Sequence, residues 1–169
     1  EKNNLRICIS AGEPLPGELG KRWLKKTKVP ILDGIGSTEM LHIFLSNKVD
    51  DFKFGTTGNP LDGYKLKLLN DNGEIVEDGE PGDLYVKGPT RAVGYWNNAE
   101  KTKDTFINDW VKSGDKYSVN KYGYYVYCGR ADDMLKVSGQ YVSPFEVESA
   151  LLSNKKVLEA AVIGFKDSE

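Results

Sequence analysis

Apolar and polar positions follow two different rhythms along the chain. The first fifty residues read as strand–helix–strand–helix. Leu5-Arg6-Ile7-Cys8-Ile9 predicts a strand over 5–10, and Gly12-Glu13-Pro14 turns the chain after it. Leu19, Trp23 and Leu24, spaced i, i+4, i+5, predict a helix near 16–27 with one apolar stripe. Residues 29–32 predict a short strand that runs into Asp33-Gly34-Ile35-Gly36, where the glycines read as a strand-to-helix loop. Residues 40–45 are expected to start a further helix.

Beyond residue 50 the rhythm shortens. Tyr64, Leu66 and Leu68 alternate with Lys65 and Lys67, Asn72-Gly73 is a hairpin signal, and Glu80-Pro81-Gly82 introduces a strand over 83–87. Tyr124-Tyr125-Val126-Tyr127 follows another glycine turn and predicts one more strand. Short strands separated by turns describe an antiparallel sheet or barrel. In the last forty residues, Ser143-Pro144-Phe145-Glu146 has the form of a capping box with proline at the first helical position. It predicts a helix to about Ser153 with Val147, Ala150 and Leu151 on one face, and a final strand from about Val157. The expected fold class is therefore mixed α+β. Residues 1–50 form the α/β end of a large domain, 51–128 a barrel-like subdomain, and 129–169 a hinge and the start of a small α+β domain. Both ends leave apolar segments directly, so the chain is expected to be a portion of a longer enzyme.

Composition narrows the classes. The 23 basic and 25 acidic residues give a net charge of −2 with no basic block, which argues against a nucleic-acid-binding face. No apolar run approaches the roughly 18 residues of a membrane span. Two cysteines without motif spacing, Cys8 and Cys128, and a single histidine, His42, argue against a disulfide scaffold or a His/Cys zinc site. A reduced, cytoplasmic setting is expected.

Three segments carry candidate chemistry. Asp33-Gly34-Ile35-Gly36-Ser37-Thr38-Glu39 offers close backbone approach, two hydroxyls for a phosphate and a carboxylate able to hold Mg²⁺ together with substrate phosphate oxygens. Equally, it could be a capped glycine loop, and it lacks the lysine of a P-loop. Gly114-Asp115, placed between two short strands, offers a carboxylate to a ribose diol or serves only as a turn. The run from Gly129 to Gly139 crowds Arg130, Asp132, Asp133 and Lys136 between strands, and by itself also reads as a charged surface hairpin.

Taken in order, Ser10-Ala11-Gly12-Glu13-Pro14-Leu15, Gly36-Ser37-Thr38-Glu39, Gly82-Asp83-Leu84-Tyr85-Val86-Lys87-Gly88, Ser113-Gly114-Asp115 and Gly129-Arg130-Ala131-Asp132-Asp133 through Gly139 resemble the adenylate-forming superfamily of acyl-CoA synthetases, luciferases and nonribosomal adenylation domains. The run from Glu39 to Asn47 is most similar to benzoate-CoA and related aryl-CoA ligases. The resemblance implies a two-step reaction. An aromatic carboxylate attacks the α-phosphate of MgATP to form an acyl-adenylate and pyrophosphate, and coenzyme A then displaces AMP. It implies that Gly12, Glu13, Pro14, Asp33, Gly34 and Ile35 line the adenine site, and that Asp115 and Arg130 hold the ribose. Thr38 and Glu39 would form the catalytic pair, Thr38 at the phosphate and Glu39 on Mg²⁺. His42 and Ile43 would border the aryl pocket, Asp132 would be the interdomain hinge and Gly139 would lie beside the CoA tunnel.

Ile35 stands where many members of this superfamily carry an aromatic ring. The family's phosphate loop and C-terminal lysine would fall before residue 1 and after residue 169, so the chain alone is expected to be inactive. Expected partners are a small aromatic carboxylate, ATP or AMP, CoA and, as a candidate, a second copy of the chain, with no nucleic acid and no membrane span. Competing readings are a fatty-acid or amino-acid adenylating enzyme that loads a carrier protein, and a non-catalytic nucleotide-binding module.

Overall fold

The computed structural model describes residues 4–137 and 140–165. In chain order its elements are β1 (Cys8–Ser10), α1 (Gly17–Thr27), β2 (Ile31–Gly36), a 3₁₀ turn (Thr38–Met40), β3 (Ile43–Ser46), β4 (Asn59–Pro60), β5 (Lys65–Leu69), β6 (Gly82–Lys87), α2 (Ala99–Thr105), β7 (Phe106–Ile107), β8 (Trp110–Val119), β9 (Tyr125–Arg130), a second 3₁₀ turn (Ala131–Asp133), β10 (Leu135–Val137), β11 (Gln140–Val142) and α3 (Pro144–Leu152). One sheet runs β1-β2-β3-β4, with β1 parallel to β2 and the rest antiparallel. A second, antiparallel sheet runs β5-β6-β8-β7, with β9 also on β8, and β10–β11 is a separate hairpin. Mutual hydrogen bonds of 2.9 Å between Thr57 or Gly58 and Tyr125 join the first sheet to β9.

The core fills the space between β3 and the second sheet. Met40, Phe44, Leu45, Leu84, Val86, Val111 and Tyr117 are almost wholly buried there. Leu84 and Val86 alternate with partly buried neighbours along β6, as a strand with one face in the core requires.

Several local expectations hold. Helix α1 spans the predicted residues. Gly73 N donates to Asn70 O at 2.9 Å in the predicted hairpin turn. Ser143 Oγ accepts from Glu146 N at 3.1 Å with Pro144 opening α3.

Four expectations are corrected. The glycines after Leu32 are not a loop: Gly34 and Gly36 lie inside β2. A Cβ on Gly36 would sit 2.5 Å from His42 O, so β3 can approach only because the side chain is missing. Residues 40–45 do not start a helix. Leu41 adopts φ 72° and ends the 3₁₀ turn, and Ile43-Phe44-Leu45 continue as a strand against β2. An apolar run this short has no period that separates helix from buried strand. Gly114-Asp115 does not lie between two strands but inside the ten-residue β8. The predicted last strand is absent: residues 157–165 form no strand, Val162 N donates to Glu148 Oε1 at 2.8 Å, and Ile163 and Phe165 stand exposed. Among the described residues no strand pairs with this segment, and alternation without a hydrogen-bonding partner makes no sheet. Helix α2 is an addition to the elements read from the sequence, and Asn98 Oδ1 caps it by accepting from Lys101 N at 3.1 Å.

Candidate active site

The motifs converge on one cleft of about 1090 Å³ between the ends of β2 and β9, the middle of β8 and the start of α3. Gly12, Glu13, Pro14, Asp33, Gly34, Ile35, Thr38, Glu39, Asp115, Arg130 and Asp132 all line it. His42 and Ile43 do not; they lie at the turn into β3. His42 is exposed, its Nδ1 2.6 Å from Ile43 O and its Nε2 3.3 Å from Tyr64 Oη. Gly139 lies outside the described residues.

A bulge brings Asp115 and Arg130 together. The step from Asp83 to Tyr85 on β6 is matched on β8 by the longer step from Lys116 to Lys112, so Ser113-Gly114-Asp115 swells out of the ladder. Lys112 and Lys116, on either side, pair with the two oxygens of Asp83 at 2.8 Å each and pin the bulge. Asp115 lies opposite Arg130 in the β8–β9 register, and Arg130 reaches Asp115 Oδ1 at 3.0 Å and Ser113 O at 3.3 Å. Gly114 has φ 82°, and a Cβ there would lie 2.8 Å from the guanidinium. The positive φ favours glycine here, and any side chain would also have to displace the end of the Arg130 side chain. Burial raises the Asp115 carboxyl above its ordinary range, against the pull of the Arg130 guanidinium.

Glu39 belongs to the 3₁₀ turn that closes β2, and it is half-buried. Its Oε1 accepts from Tyr95 Oη at 2.5 Å. Burial pushes its carboxyl up, but the Tyr95 hydroxyl, its own backbone amide, Ser37 and the Lys101 charge together hold it below the usual carboxylate range. Glu39 therefore stays ionised. Ser37 Oγ is buried and has no hydrogen-bond partner of good geometry, although it lies near enough to Glu39 to favour the charged form.

The floor of the cleft is a buried polar chain that the sequence did not reveal. Thr57 Oγ1 donates to Asp33 Oδ2 at 3.4 Å, and Tyr117 Oη lies 3.2 Å from Thr57 Oγ1. Burial raises the Asp33 carboxyl to about 6, opposed by the amides of Leu15 and Gly34 and by the Thr57 hydroxyl. Folding therefore favours the neutral form of Asp33. The associated stability is complete below the unfolded pKa near 3.9 and is lost as pH rises through about 6. Asp33→Asn in the full-length protein should be more stable than the parent above pH 6, by up to about 3 kcal/mol, with the difference closing towards pH 4. Urea unfolding midpoints across that range check this; a difference independent of pH would refute the assignment.

Comparison with known proteins gives a consistent picture. The family described as AMP-binding enzyme matches residues 1–96. A benzoate–CoA ligase of Thauera aromatica is 60% identical over 166 residues, 98% of this chain and 32% of that protein. A benzoate CoA ligase from Burkholderia xenovorans superposes with a TM-score of 0.92 at 55% identity, over 97% of this chain and 33% of that one. An anthranilate CoA ligase in complex with anthranoyl-AMP superposes with a TM-score of 0.93 at 50% identity, over 96% and 32%. The chain thus spans about a third of the length of the relatives it matches.

Proposed function

The chain belongs to the AMP-binding enzyme family, and on that premise we propose that it is part of an AMP-forming acid–thiol ligase acting on a benzoate-like carboxylate. The first step joins the carboxylate to the α-phosphate of ATP and releases pyrophosphate. In the second, the thiol of CoA takes the acyl group and AMP leaves. The observation that carries this reading is the pairing of Asp115 with Arg130 at 3.0 Å in the same cleft as the ionised Glu39. That arrangement holds a nucleotide at its sugar with a carboxylate facing its phosphates. It offers no protein nucleophile and needs none, because adenylyl transfer rests on positioning and charge neutralisation.

In this reading Gly12, Glu13, Pro14, Asp33, Gly34 and Ile35 enclose the base, with the aliphatic Ile35 packing where a ring could stack. Asp115 accepts from the ribose hydroxyls, Arg130 orients Asp115, and Thr38 and the unpartnered Ser37 hydroxyl meet the phosphates. The donor set also fits Mg²⁺, which is held by one or two carboxylates together with substrate phosphate oxygens. Glu39 is such a carboxylate, and among the described residues no group of three or more His, Cys, Asp or Glu forms a closed cage. When bound, Mg²⁺ would neutralise phosphate charge.

His42 and Ile43 are assigned to the border of the acyl site because they follow Glu39 directly, on the strand packed against Gly36. Among the described residues no helix is long and apolar enough to cross a membrane.

Carboxylate-dependent ATP–pyrophosphate exchange by the full-length protein tests the reading. Benzoate and hydroxybenzoates should support exchange well above short aliphatic acids, and His42→Ala should change their relative rates. Exchange with no acid in the panel would refute the ligase in favour of a nucleotide-binding module.

A further inference from the structure

The segment from Ala92 to Trp96 and the helix after it have no role in the reaction described above, yet the segment grips Glu39 at two points. Ala92 N donates to Glu39 O at 2.8 Å, and Tyr95 Oη donates to Glu39 Oε1 at 2.5 Å. Tyr95 is itself held from three sides. Its backbone N donates to Thr102 Oγ1 at 2.9 Å, and that hydroxyl donates on to Asn98 O at 2.7 Å at the start of α2. Its ring stands edge-on to Phe106 at 5.4 Å between centroids and 72° between planes, and Phe106 belongs to the buried core. The Lys101 ammonium lies 4.9 Å from the centre of the same ring. The phenol is thus a fixed donor, carried by a helix and the core rather than by a loose loop.

We propose that Tyr95 is a positioning residue that sets the Glu39 carboxylate in the one rotation that presents its other oxygen to a divalent cation bound with the nucleotide. The inference rests on the reading of Glu39 as the cation-holding carboxylate. Mg²⁺ demands near-octahedral geometry, so a carboxylate free to rotate holds it less well. A single strong hydrogen bond to one oxygen removes that freedom. Loss of such a supporting hydrogen bond typically weakens a metal site by about 10- to 100-fold.

The test uses the full-length protein, its Tyr95→Phe variant and its Glu39→Gln variant. The ring and its packing survive in Tyr95→Phe, so folding is preserved and equal thermal midpoints verify it. Mn²⁺ with a non-hydrolysable ATP analogue is the probe, and free Mn²⁺ is read by electron paramagnetic resonance. Tyr95→Phe should weaken Mn²⁺ binding by about 10- to 100-fold and raise the Mg²⁺ concentration for half-maximal pyrophosphate exchange by a similar factor. The rate at saturating Mg²⁺ should largely recover, and AMP affinity without metal should stay at the parental value. Parental Mn²⁺ affinity in Tyr95→Phe alongside a loss in Glu39→Gln overturns the Tyr95 inference alone. Parental Mn²⁺ affinity in Glu39→Gln overturns the reading of Glu39 and this inference with it. An equal fall in AMP affinity and Mn²⁺ affinity in Tyr95→Phe makes Tyr95 merely structural and also overturns it.

Discussion

Replacing Glu39 with Gln in the full-length protein should slow adenylate formation by on the order of 10²-fold or more. The substitution keeps the shape of the side chain and an oxygen able to accept from Tyr95 Oη, so the turn that carries it should remain intact. What disappears is a negative charge. The surroundings of Glu39 stabilise that charge despite its partial burial, through the Tyr95 hydroxyl, its own backbone amide, Ser37 and Lys101. A carboxylate kept ionised in a half-buried position in the cleft is the group whose neutralisation the substitution tests. Thioester formation from supplied acyl-adenylate involves no triphosphate and should change far less. Pyrophosphate exchange at saturating Mg²⁺, set beside thioester formation from preformed adenylate, separates the two. A loss below about tenfold in exchange would remove Glu39 from the first step.

The second large effect is expected at Asp132. This residue is exposed in the 3₁₀ turn Ala131–Asp133, between β9, which carries Arg130, and the β10–β11 hairpin leading to α3. We place the pivot between the large domain and the small C-terminal unit here. A pivot must absorb a change in φ and ψ while its flanks stay rigid. Proline accepts only φ near −65°, which lies within the 3₁₀ range, and the first N–H groups of such a turn have no partner inside it. Asp132→Pro therefore fits the orientation seen here, apart from the restriction on Ala131 before it. It resists any other. In the full-length protein, adenylate formation should stay near the parental rate. Thioester formation should fall by on the order of 10²-fold, because the thiol would no longer be brought into line. Both half-reactions measured on one preparation decide the matter, and equal loss of the two would reject the pivot.

These expectations draw unequally on sequence and tertiary structure. The motif order placed Asp33, Glu39, Asp115, Arg130 and Asp132 among the candidates, and the cleft brings all five together. Their partners were not legible. Tyr95 lies 56 positions from Glu39, and nothing in Gly94-Tyr95-Trp96 says which carboxylate the phenol meets. Thr57 and Tyr117 are 60 positions apart and join Asp33 only because β8 lies beside β9 and β9 is tied to residues 57–58. The local signal for α2 is Asn98 ahead of good helix formers.

What the sequence by itself determined is what depends on near neighbours. The turn at Asn72-Gly73, the proline-led cap of α3 and the stripe of α1 each follow from a few adjacent side chains and the backbone they constrain. The order of the chemical motifs is likewise written along the chain. The tertiary structure decided everything that needed a distant partner. Residues 40–45 became a turn and a strand because β2 offered its edge through Gly36, and residues 157–165 did not become a strand because among the described residues no edge pairs with them. Gly114-Asp115 became a bulge because Lys112 and Lys116 hold one carboxylate on β6 from either side of it. A strand satisfies its backbone only through another segment, and a buried polar group only through whatever the fold brings beside it, so neither outcome can be read from local sequence.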